Sequence, residues 1–140
     1  IQDALCIFEF EKLSYAKKID SVAQLNILWE EICLKYGFEN DEIEDWASKK
    51  HIYNAPCYYI NYATAKLLAL QFLERFINKP ENAILELKEY IKFGSKLSKE
   101  KLYEKFNLNI PLSANAIENL NTNFDRVIKD FKNLKFNTNI

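Results

Sequence analysis

The chain has 140 residues, of which 49% are hydrophobic and 14% aromatic; that is enough to fill a core and too much for a disordered segment. With 19 basic and 20 acidic residues the formal net charge is -1, so bulk charge selects neither nucleic acid nor an anionic membrane as partner. The single histidine excludes a two-histidine metal site, and the 3 cysteines (Cys6, Cys33, Cys57) form no zinc-type pair; they read as reduced thiols of a cytoplasmic protein.

Only 2 glycines and 3 prolines interrupt the periodic segments, which predicts an all-α fold, a compact array of about six helices forming one unit over residues 1–140. Residues 1–17 read as a helix with Leu5, Ile7, Phe8 and Leu13 as its apolar stripe. It begins without a capping residue and the chain holds no Met, so the sequence reads as a piece of a longer chain. Asp20 and Ser21 offer a cap for a second helix, with Gln24 in capping-box position. That helix buries Leu25, Leu28, Trp29, Ile32 and Cys33 and stops at Gly37, because glycine accepts the left-handed conformation. The acidic stretch 39–45 reads as a solvated connector or helix start, anchored to the core by Trp46.

Pro56 fits the first turn of a long third helix, where its missing N–H is no loss. This helix carries the tyrosines, continues through Leu67, Leu68, Leu70 and Leu73, and ends near Asn78. It is apolar on most faces, as a surrounded helix is. Lys66, Glu74 and Arg75 keep its apolar run below the ~18 residues of a membrane span. Pro80 starts a fourth helix that ends at Gly94. Ser98 caps a short helix over residues 99–105, stopped at Asn107, and Ser113 caps a final amphipathic helix through Ile117, Leu120, Phe124, Ile128 and Phe131. The polar tail after Lys135 is expected to fray.

The chain has no HExxH, no phosphate-binding glycine loop and no Gly-x-Ser-x-Gly elbow, and each of those chemistries needs those atoms. Cys57 lies near His51 but lacks an orienting partner, so a cysteine protease is poorly supported. Tyr58 and Tyr62, four apart, project from one helix face, with Tyr59 pointing away. By spacing alone they are ordinary core aromatics, and His51 an ordinary structural histidine.

Residue order points elsewhere. His51-x-Tyr53-x-x-Pro56-x-Tyr58-x-x-Asn61-Tyr62-Ala63-Thr64 resembles the H-x-Y-x-x-P-F-Y-x-Y-Q-Y-A-T-G signature of the oligoendopeptidase F family, zinc metallopeptidases related to thimet oligopeptidase. Phe8-Glu9-Phe10-Glu11 is similar to the F-x-x-F-E helix upstream of it, and Trp46-Ala47 to the W-A element. Downstream, residues 90–95 resemble a shortened Y-x-x-F-x-x-G-G-S turn. Residues 102–110 resemble an L-x-x-x-G-v-D-l segment, with Asn107 where glycine is usual.

The resemblance spans nearly the whole chain and implies the C-terminal portion of a mostly helical zincin-type catalytic domain. It implies zinc held by an HExxH helix and a later glutamate upstream of Ile1, with no metal ligand in this chain. It implies an oligopeptide substrate, with the upstream catalytic portion as the other partner, and neither nucleic acid nor membrane. Carried over by position, Tyr62 is the expected oxyanion donor and His51 its catalytic companion, while Tyr58 and Tyr53 contact substrate. Ile60 stands where the family has its middle tyrosine, Cys57 replaces Phe, Asn61 replaces Gln and Ala65 replaces Gly. The alternative is a noncatalytic helical module that binds a peptide or protein through the same groove.

Overall fold

A computed structural model describes residues 1–39 and 46–136, the last four of them as backbone alone. Residues 40–45 of the acidic connector and residues 137–140 of the polar tail lie outside the described residues. The described chain is all-α: α1 (Gln2–Lys17), α2 (Val22–Lys35), a single 3-10 turn (Trp46–Ser48), α3 (Lys50–Asn54), α4 (Tyr59–Asn78), α5 (Pro80–Phe93), α6 (Lys99–Lys105) and α7 (Ala114–Phe136). No described helix is long and apolar enough to cross a membrane. The chain divides into two units, Ile1–Ala65 and Lys66–Ile140, with the division falling inside α4.

Three helices close in the same way. At the end of α2, Gly37 takes φ 77, its N–H donates to Leu34 O at 3.0 Å, and Phe38 N–H reaches back to Cys33 O at 3.0 Å. This paired closure satisfies two carbonyls that the helix end leaves open. Lys18 does the same after α1 with φ 50, through Lys18 N–H to Tyr15 O and Ile19 N–H to Ser14 O, each 3.2 Å. Asn107 does so after α6 with φ 47, and Leu108 N–H donates to Tyr103 O at 2.8 Å. Gly37 and Asn107 match the expected stops, and Lys18 is an unforeseen one.

The caps are mixed. Ser98 Oγ accepts from Lys101 N–H at 3.4 Å and Ser113 Oγ from Ala116 N–H at 3.2 Å. Ser21 stands at the N-cap of α2, but its side chain makes no capping bond, so the expected capping box with Gln24 is not formed.

The core of the first unit joins α1 and α2 through Cys6, Ile7, Phe10, Leu28, Trp29, Ile32 and Cys33, with Ile52 of α3. Phe10 is its centre, 1% exposed, with the Trp29 ring edge-on at 5.1 Å and Trp46 tilted at 5.6 Å. Trp46 anchors its end of the connector as expected, and its indole N–H also donates to Asn26 Oδ1 at 2.8 Å. The stripe of α1 differs from the expected one: Leu5, Phe8 and Leu13 are only half-buried, and the face that turns inward carries Cys6, Ile7, Phe10 and Glu11.

The second unit packs Phe72, Leu102, Tyr103, Phe106 and Leu108, with Tyr90 and Phe93 against them. Gln71 and Arg75, one turn apart on α4, bind the backbone that follows α6. Gln71 accepts from Asn109 N–H at 2.8 Å and donates to Asn109 O at 3.1 Å, and Arg75 donates to Asn107 O at 2.6 Å. Arg75 also pairs with Glu86 of α5. The expectation of a surrounded third helix does not hold, since in α4 only Ala63, Leu67 and Phe72 are buried.

Candidate functional site

His51 lies in α3, a five-residue helix set by its neighbour Ile52, which is buried in the first core. The Tyr15 hydroxyl of α1 donates to Ile52 O at 3.1 Å and fixes that backbone from the other side. Sequence reading placed Pro56 in the first turn of the tyrosine helix. In the structure Pro56 lies in a turn and α4 starts only at Tyr59. The cause is Cys57, whose φ of 60 is left-handed and cannot continue a right-handed helix. Tyr58 N–H closes this turn onto Ala55 O at 3.0 Å, and Asn61 N–H then starts α4 on Tyr58 O at 2.9 Å.

The turn folds the motif back on itself. The His51 imidazole stacks on the Tyr58 ring, with centroids 5.3 Å apart and planes 14° from parallel. Tyr62 meets both edge-on, at 5.7 Å from His51 and 5.5 Å from Tyr58. Tyr58 is 44% exposed and Tyr62 40%, so their rings belong to an open surface and are not enclosed core aromatics. Two phenols and one imidazole thus meet on an accessible face, each able to donate or accept a hydrogen bond.

Tyr59 departs from expectation. Its ring lies 5.5 Å from His51 and 5.6 Å from Tyr62, forming the inner wall of the same cluster while packing on the first core. Burial pushes its hydroxyl pKa up. Tyr53, expected to contact substrate, is not brought into the cluster; it is 57% exposed and its ring pairs with Trp46 at 6.4 Å. Ile60, at the place of the missing tyrosine, is half-buried. Its carbonyl accepts from the Thr64 hydroxyl at 2.8 Å.

The residue that sequence reading passed over is Glu11. It is fully buried, and its Oε1 accepts the N–H of Cys57 at 2.9 Å. Its Oε2 is buried with no hydrogen-bond partner among the described residues. Burial raises its pKa, while the Cys57 N–H and the charge of His51 pull the other way. The signal was present in the sequence: Glu11 lies four residues after Ile7 and beside Phe10, so any helix that buries those two turns a carboxylate inward. The Cys57 thiol is also pushed up, by burial and then by the Glu11 carboxylate, which keeps it protonated and disfavours it as a nucleophile.

Among the described residues no three His, Cys, Asp or Glu side chains gather to hold a metal ion. Comparison with protein-family models, with curated proteins and with solved structures finds no match to this chain.

Proposed function

We propose that this chain forms the substrate-facing wall of a zinc metalloendopeptidase that hydrolyses oligopeptides, a relative of oligoendopeptidase F. In this reading the zinc-binding HExxH segment belongs to protein ahead of Ile1, and the three free thiols suit the cytoplasm. The observation that carries it is the ring cluster. The residues that resemble the family signature, His51, Tyr58 and Tyr62, are spread over twelve positions, yet their rings lie within 5.7 Å of one another on one exposed face.

Such a face suits a peptide backbone. Imidazole and phenol groups gathered across the α3–α4 turn bind carbonyl oxygens and amide protons without regard to side chains. A donor aimed at the carbonyl under attack strengthens its hydrogen bond as negative charge develops on that oxygen. Tyr62 is assigned that role, His51 and Tyr58 hold the peptide in register, and Tyr59 backs the cluster from the core. Tyr53 stays a substrate contact only for a peptide long enough to reach the Trp46 side.

The reading frame ahead of Ile1 tests this at little effort. The expected result is an HExxH codon run within the preceding couple of hundred residues. A frame that opens at this chain contradicts it and favours the noncatalytic binding module.

A further inference from the structure

We propose that Glu11 is a positioning residue: its buried carboxylate holds the turn at Cys57, and through that turn it sets the stack of His51 on Tyr58 and the edge contact of both with Tyr62. The inference rests on the functional reading only for its consequence in catalysis.

Two unfavourable features meet at one hydrogen bond. Cys57 is not glycine yet sits at φ 60, a conformation that side-chain-bearing residues adopt at a cost. Glu11 is 0% exposed with one oxygen partnered and the other not, which is a costly way to bury a carboxylate. The bond between them, Cys57 N–H to Glu11 Oε1 at 2.9 Å, offsets part of both and lies where α3 turns into α4. The residues on either side of that turn are those of the ring cluster, with His51 before it and Tyr58, Tyr59 and Tyr62 after it. Releasing Cys57 to a right-handed conformation re-aims one side against the other.

Helix α1 grips this region twice on one face, since Tyr15, one turn after Glu11, binds Ile52 O at 3.1 Å. The titratable groups in the surroundings of the carboxylate are Tyr15 of its own helix, Cys57 of the turn, His51 of α3 and Tyr59 of α4. An apolar residue at position 11 would fill the same space and leave the Cys57 N–H without an acceptor. Its presence as glutamate is therefore tied to the turn and not to packing.

Because His51 is the only histidine, its imidazole protons give unassailable single signals in a proton spectrum of the 140-residue chain. Stacking on Tyr58 displaces them upfield of a free histidine. Glu11→Gln, whose amide oxygen accepts the same N–H, should keep that displacement. Glu11→Leu should lose more than half of it while the helical circular dichroism is unchanged. A wild-type displacement in folded Glu11→Leu, or its loss in folded Glu11→Gln, overturns the proposal. The unmutated chain gives a reading that no variant can spoil. The Cys57 amide should exchange with solvent far more slowly than an open-chain amide; rapid exchange beside a displaced His51 signal overturns the proposal as well. None of these readings involves cleavage, so failure here leaves the peptidase reading standing, and the reverse holds too.

Discussion

Tyr62→Phe, made in the complete gene product, should lower kcat by ~10²–10³-fold and change KM little, the size expected for removing one oxyanion donor. The substitution deletes a single oxygen. The ring stays, so its contacts at 5.7 Å with His51, 5.5 Å with Tyr58 and 5.6 Å with Tyr59 remain. Tyr62 is 40% exposed, so the lost hydroxyl is not one of a fully buried polar pair. A fall in kcat then reports on chemistry and not on folding. A rise in KM at constant kcat would assign Tyr62 to ground-state binding, and unchanged steady-state kinetics would remove it from the mechanism. Tyr58→Phe should act mainly on KM, because it keeps the ring stacked on His51 and removes only the hydroxyl assigned to holding the peptide in register.

Phe10→Ala should destabilise the first unit by ~3–5 kcal/mol, a large part of a domain's usual ~5–15 kcal/mol. Phe10 is 1% exposed, and its ring is flanked by Trp29 at 5.1 Å and Trp46 at 5.6 Å. Neither indole can collapse into the gap freely. Trp29 is itself packed in the core, and Trp46 is tied through its N–H to Asn26 at 2.8 Å. A persistent cavity adds its own penalty to the lost burial. Both tryptophans of the chain lie in this unit, so their fluorescence during denaturant unfolding reads it directly. A midpoint shift equivalent to less than ~0.5 kcal/mol, the scale of a surface substitution, would show that Phe10 is not the centre of this core.

Legibility followed the physics of each element. Gly37 and Asn107 could be read as stops because both residue types tolerate positive φ. Lys18 adopts the same conformation without a composition cue, driven by the two carbonyls of α1 that its turn satisfies. The caps at Ser98 and Ser113 form as read, while Ser21, with the same side chain, makes no cap bond.

The break between α3 and α4 was hidden for a different reason. Pro56 is compatible with a helix start, and nothing local marks Cys57 as left-handed. Its conformation is set by a carboxylate 46 residues earlier in the chain. That one long-range bond also explains the miss at Tyr59. Helical spacing from an assumed start at Pro56 assigned it to the far face, whereas the turn brings His51 round to meet it. His51, Tyr58 and Tyr62 could be picked out by residue order, but their meeting on an open face depends on tertiary contacts with α1.

The most direct measurement is hydrolysis of a quenched fluorescent oligopeptide by the complete gene product, before and after a metal chelator. The account predicts cleavage that the chelator abolishes and added zinc restores. Absence of cleavage, or cleavage indifferent to the chelator, would contradict it.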